Sequence, residues 1–296
     1  MALRYALIVV ASIAAAAAVG GCSPLGFVNA LTPADTYDAT EGLAYGPEPR
    51  EKLDVYRPRA GAGAGVARDG YPVVVFFYGG AWNTGERRDY RFIGEALASR
   101  GIVTMVADYR LYPQVRYPEF LTDCARALVW AQREAPRFGG DAGRLYVMGH
   151  SSGAYNAAML ALDPRWLAAE GLAPGALAGW IGLAGPYDFL PMTNVQAQPV
   201  FNHPDYPAGS QPIDYVTQAA PRTFLGAPAN DDVVNPERNT RQLADKLRAA
   251  GVSVTLTTYP RAGHYTLIGA FARPLRLLAP VLDDVAAFVH NEPAPR

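Results

Sequence analysis

The pentapeptide Gly149-His150-Ser151-Ser152-Gly153 constrains this chain more than any other feature. Residues 144–148 before it are apolar and β-prone, and residues 154–162 after it are rich in alanine and helix-prone. A G-x-S-x-G between a strand and a helix is the context of a nucleophile elbow. A serine on so sharp a turn is backbone-strained, and flanking glycines let strand and helix approach without a Cβ between them. The turn presents Ser151 above the sheet edge, with the N-terminal dipole of the next helix beneath it.

An elbow of this kind needs a sheet around it, and the pattern supplies one. Residues 53–58 alternate apolar and polar side chains and read as an early antiparallel strand. Residues 71–77 form a continuous apolar run, as in a strand covered on both faces. Further strands read over 102–107, 177–183, 222–225 and 252–259, and helices fit at about 87–100, 118–134, 237–250 and 274–290. This alternation predicts an α/β fold, a mostly parallel central sheet flanked by helices. Residues 186–218, rich in Pro, Asn, Tyr and Gln, break the rhythm and are too long for a simple connection. They read as a small lid-like insert after the sixth strand. The Ala-Gly run over 60–65 reads as a flexible loop. At 296 residues and 50% hydrophobic content, the chain suits one large domain, placed at 46–291 with a tail at 292–296.

The first residues belong to targeting. Arg4 precedes an apolar run over 5–19 that is short for a bilayer span and suits a signal peptide. It ends in Val19-Gly20-Gly21-Cys22, which resembles the bacterial lipobox, so residues 1–22 are expected to be a lipoprotein-type signal with Cys22 the lipidated residue. That implies an exported cell-envelope protein on the periplasmic side, held to a membrane by its lipid, with 23–45 as a tether. Cys124, the other of two cysteines, lies in an apolar helical pattern and reads as a small buried side chain. A net charge of −1 and the lack of a basic block argue against nucleic acid as a partner.

A serine nucleophile requires a base and a group that orients it. Downstream of Ser151 lie His203, His264 and His290. His264 directly follows the last strand, at the sheet edge where chemistry collects in open α/β folds, and is the candidate base. His290 sits near a helix end and His203 in the insert. For the acid, Asp231 and Asp232 follow the penultimate strand; adjacent residues cannot both face one imidazole. Asp188, one strand earlier, is the outside candidate. A tetrahedral oxyanion needs preorganised N–H donors. The Gly79-Gly80 turn after residues 71–77 points to Gly80 and Ala81, with Ser152 as the complementary donor. Trp82, Tyr155, Tyr187 and Phe201 are candidates to line a substrate pocket, although core packing explains each equally well. The chemistry calls for no cofactor, and the histidines lack zinc-ligand spacing.

With these residues in place, the chain resembles the α/β-hydrolase superfamily over roughly residues 45–290. More narrowly it is similar to bacterial carboxylesterases of the hormone-sensitive-lipase and feruloyl/acetyl-xylan-esterase type, to kynurenine formamidases and to isoprenylcysteine methylesterases. Tyr78-Gly79-Gly80-Ala81-Trp82 corresponds to their H-G-G-x-W motif, Asp108-Tyr109-Arg110 to D-Y-R, and Phe138-Gly139-Gly140-Asp141 to F-G-G-D. The families place their acid first in a D-x-x-V run, which maps onto Asp231, and their histidine after a glycine, as His264 follows Gly263. The resemblance implies a carboxylesterase that cleaves a small-molecule ester through an acyl-enzyme on Ser151, with His264 and Asp231. Alternatives are an N-formyl-amine amidase, an acetyl or feruloyl polysaccharide esterase, or, in another class, a catalytically silent envelope binding protein. Tyr78 departs from the usual histidine, which bears on loop geometry and substrate preference; with Trp82 it is expected to face the substrate.

Overall fold

A computed structural model describes residues 24–59, 70–173 and 175–291. The expected signal segment with Cys22, the Ala-Gly run and the residues 292–296 lie outside the described residues. The chain begins with helix α1 (Pro24–Ala30) and strands β1 (Tyr37–Ala44), β2 (Lys52–Pro58) and β3 (Tyr71–Phe77). Then come α2 (Arg91–Ala98), β4 (Val103–Ala107), α3 (Glu119–Glu134), β5 (Gly140–His150), α4 (Ser152–Leu162) and α5 (Pro164–Ala169). β6 (Leu177–Leu183), β7 (Thr223–Pro228), α6 (Gln242–Ala249), β8 (Val254–Tyr259), α7 (His264–Gly269) and α8 (Val281–His290) complete it.

The strands form one sheet in the order β1-β2-β4-β3-β5-β6-β7-β8. β2 pairs antiparallel with β1 and β4, and every other pair is parallel. Every residue of β3 and β4 is buried, which a strand of period two achieves only when both faces are covered. Register pairs Phe77 with Gly149, His150 with Leu183, Leu183 with Gly226 and Pro228 with Tyr259. The carboxyl ends of β3, β5, β6, β7 and β8 therefore share one edge, and the loops leaving that edge carry the candidate residues. This is the α/β-hydrolase architecture.

Two expectations need correction. Residues 23–45 are no tether: α1 buries Val28, and β1 pairs with β2 from Tyr37↔Pro58 to Ala44↔Lys52. Because β1 is an outer strand with only Tyr37 buried, its side chains carry no apolar signal. The domain thus reaches upstream of residue 46. Nor is 274–290 one helix. Pro274 sits in a short 3-10 turn (Arg273–Leu275), and Pro280 directly precedes α8, so regular helix starts only at Val281. The insert holds two single 3-10 turns, Gln198–Phe201 and Pro212–Tyr215, and is packed rather than loose. Phe201 is buried, with ring centroids 4.9 Å from Trp82 and 5.2 Å from Phe189.

Candidate active site

At the junction of β5 and α4, Ser151 has φ 55° and ψ −124°, a conformation L-residues adopt only under constraint. Its N–H donates to the Leu183 carbonyl at 2.9 Å, tying the turn to the end of β6. A Cβ on Gly153 would lie 2.0 Å from the Phe77 carbonyl oxygen, so α4 can run this close to β3 only as glycine. The same holds across the cleft, where a Cβ on Gly79 would come within 2.9 Å of Ser151 Cβ.

His264 is the first residue of α7, and its Nε2 lies 2.9 Å from Ser151 Oγ. Its Nδ1 lies 2.8 Å from Asp231 Oδ2 and 3.1 Å from Oδ1. Both side chains are buried. Asp231 Oδ1 also accepts the N–H groups of Val233 (2.8 Å) and Val234 (2.9 Å). Burial alone would raise the Asp231 carboxyl. The His264 hydrogen bond and charge, with these two N–H donors, outweigh it and hold the pKa below the ordinary value. Asp231 thus stays an anion that can keep Nδ1 protonated and leave Nε2 free to accept from serine, the polarity a nucleophile needs. The remaining candidates stand elsewhere. Asp232 is exposed; Asp188 accepts from Arg238 at 3.1 Å; His290 bonds the Arg100 carbonyl; His203 packs on Tyr206. Cys124 is buried and forms no disulfide among the described residues, with Asn156 Nδ2 3.6 Å from its sulfur.

The turn after β3 carries three successive residues at positive φ: Gly80 (126°), Ala81 (52°) and Trp82 (59°). Two adjacent non-glycine residues in the left-handed region are costly, and surrounding contacts hold them there. Trp82 Nε1 donates to Asn156 Oδ1 at 2.9 Å, and the N–H groups of Asn83 and Thr84 close back on the Gly80 carbonyl. Among the described residues, no protein acceptor takes the N–H of Ala81 or Ser152, and both residues line the cavity beside Ser151.

Tyr78 does not face substrate, contrary to expectation. Fully buried, its ring is stacked between Tyr90 (5.3 Å, 9°) and Tyr109 (5.1 Å, 24°). Its hydroxyl donates to Asp108 Oδ1 at 2.7 Å and accepts from Arg50 at 2.8 Å. Asp108 in turn accepts from Arg87 through main chain and side chain, and Tyr109 Oη donates to the Tyr78 carbonyl at 2.8 Å. A phenol reaches this buried carboxylate and fastens the turn from behind. The Asp108-Tyr109-Arg110 motif therefore serves the turn, with Arg110 itself pairing twice to buried Asp123.

A cavity of about 270 Å³ opens beside Ser151. Trp82, Phe189, Met192 and Ala197 form a buried apolar floor; Thr193, Asn194, Asn235 and Arg238 give an exposed polar rim. Trp82 lines it, whereas Tyr155, Tyr187 and Phe201 pack in the core behind. The insert supplies one wall through residues 186–197, and the loop after Asp231 supplies the opposite one. Arg238 and Asn239 join the two, and nothing in their sequence signalled it. They lie on a π-turn, Glu237–Arg241. Asn239 Oδ1 accepts from the N–H of Tyr187 (2.6 Å) and Asp188 (2.9 Å), while Arg238 donates to Asp188 and the Leu190 carbonyl.

An elbow serine hydrogen-bonded to a histidine that in turn bonds an aspartate, at the carboxyl edge of a mostly parallel eight-stranded sheet, defines the α/β-hydrolase class. Within that class the chain belongs to the BD-FAE family, whose model matches residues 53–247. Esterase LipC of Mycobacterium tuberculosis is 32% identical over 244 residues, covering 75% of this chain and 58% of that protein. The isoprenylcysteine alpha-carbonyl methylesterase ICME of Arabidopsis thaliana is 27% identical over 272 residues, 84% of this chain and 62% of that protein. The chain thus spans about three fifths of the length of these curated relatives. Among solved structures, a truncated carbohydrate esterase from gut microbiota superposes with a TM-score of 0.72 at 18% identity, covering 88% of this chain and 98% of that one.

Proposed function

We propose that this chain is a serine carboxylesterase acting on small-molecule esters. The observation that carries the reading is the continuous hydrogen-bond chain from Asp231 through His264 to Ser151. In the proposed cycle, Ser151 Oγ attacks the acyl carbon as its proton passes to His264 Nε2, and Asp231 steadies the imidazolium. The N–H groups of Ala81 and Ser152, free at the cavity wall, meet the oxyanion, with Gly80 shaping the turn and adding the third candidate donor. His264 returns the proton to the departing alcohol, leaving an acyl-serine. Water then attacks with the same base, releasing the acid and restoring Oγ–H. The esterase names of the relatives support the ester over other acyl derivatives.

The test is hydrolysis of a short-chain aryl ester by the wild-type chain and by Ser151→Ala. Substitution is expected to lower kcat by about 10⁴-fold or more; equal rates would overturn the reading. Acetylated xylan and an N-formyl aromatic amine, assayed alongside, rank the polysaccharide-esterase and amidase alternatives. Activity on none of the three returns the chain to the binding-protein reading.

Residues 19–22 further support export and lipid attachment at Cys22, placing the domain at a cell-envelope membrane. Cys22→Ser is expected to move the protein from the membrane fraction to the soluble fraction. Unchanged membrane association would refute the anchor.

A further inference from the structure

His150 makes a contact that the proposed cycle does not use. Its imidazole is buried at 3% exposure, one residue before the serine. Nε2 lies 3.0 Å from the main-chain carbonyl oxygen of His264. A carbonyl can only accept, so Nε2 is the protonated nitrogen of His150. The two imidazole centroids are 4.9 Å apart with planes inclined at 48°. Burial first, and then the neighbouring His264, lower the His150 pKa to about 3, so this ring carries no charge at neutral pH.

His264 otherwise sits in a turn closed by its own local bonds, from the Gly263 N–H to Thr266 Oγ1 (2.8 Å) and from the Leu267 N–H to the Gly263 carbonyl (2.9 Å). It opens a helix of six residues, and the residue before it, Gly263, is extended at φ −107° and ψ −179°. Asp231 and Ser151 grip only the ring, one at each nitrogen. An imidazole held by its edge alone can keep both bonds while its backbone shifts, and the Nε2-to-Oγ line shifts with it. We propose that His150 is a positioning residue for the base: with its neighbour Ser151 it clasps His264 at two points, main chain and ring. The role rests on the esterase reading above. It explains why a neutral donor suits this position, since a cation 4.9 Å from His264 would oppose the imidazolium that forms during acylation.

Three variants of the full chain test the clasp. Gln carries an N–H donor about as far from its backbone as histidine Nε2, Asn falls one methylene short, and Phe keeps the ring without a donor. With one activated aryl ester, His150→Phe and His150→Asn are expected to lower kcat 10- to 100-fold with KM within about twofold of wild type, and His150→Gln to recover kcat to within about threefold. An unchanged kcat in His150→Phe overturns the role. So does a His150→Gln as impaired as His150→Asn, or a KM rising in step with the fall in kcat. Where the Phe variant fails to fold, as read by its thermal transition, the Asn–Gln pair decides. A wild-type chain that leaves every ester intact overturns the activity assignment and this role with it. An active wild type with an indifferent His150→Phe overturns only the role.

Discussion

His150 and Asp231, both in contact with His264, each cost the fold stability in acid, one by gaining a charge and the other by losing one. Asp231 has a lowered folded pKa, so its contribution to stability is present above the ordinary carboxyl value and is lost as pH falls through the lowered one. His150 also has a lowered folded pKa, but here protonation creates the charge. Between about 6.5 and 3 the unfolded chain takes up a proton that the folded chain refuses, so stability falls as pH falls across that window. The slope is about 1.4 kcal/mol per pH unit. Denaturant titrations at pH 7 and pH 5 should therefore show His150→Gln losing about 2 kcal/mol less than wild type on acidification. Equal losses would mean the ring is protonated in the folded chain or is reached by water.

At the scale of elements, the cavity depends on two segments that share no sheet hydrogen bonds: the insert and the loop after Asp231. Asn239 joins them by accepting two insert N–H groups and donating to the Asn235 carbonyl. Asn239→Ala is expected to destabilise the protein by about 1–3 kcal/mol, because it strands buried donors. It should also raise KM, since Pro186, Asp188 and Phe189 line the cavity; urea midpoints and initial rates check both. The central strands were legible because β3 and β4 are apolar throughout, a pattern fixed by burial on two faces. The elbow was legible because a Cβ on Gly149 or Gly153 would meet a backbone carbonyl oxygen at 2.0 Å, so only glycine fits either place. Other features were not. Asp231 and Asp232 are the same residue type side by side, and only the N–H groups of Val233 and Val234 decide which carboxylate turns inward. Tyr78 was misread because its direction is set by Asp108, thirty residues away and a different strand's neighbour. The grip of Arg238 and Asn239 on the insert leaves no local pattern at all.

At the scale of the molecule, residues 24–44 are part of the fold. Asn29 donates to the Arg88 carbonyl and accepts the Phe92 N–H, fixing α1 to the start of α2. Thr36 bonds buried Glu95, whose carboxylate also pairs with Arg273 and Arg276, so three distant stretches of chain meet at one group. A chain starting at residue 46 would lose β1 and expose the β2 edge, a template for association. It is expected to melt several degrees lower and to aggregate on heating, whereas an identical melting curve would make the segment dispensable.

The described backbone starts at Pro24, and this sets a distance. A leash of residues 23–45 would let a domain range roughly 80 Å from its point of attachment, at about 3.5 Å per extended residue. From Cys22 to Pro24 the same arithmetic gives about 7 Å. An acyl group on Cys22 would hold the globule flush with the headgroups, confining its cleft to whatever diffuses within one protein diameter of the lipid.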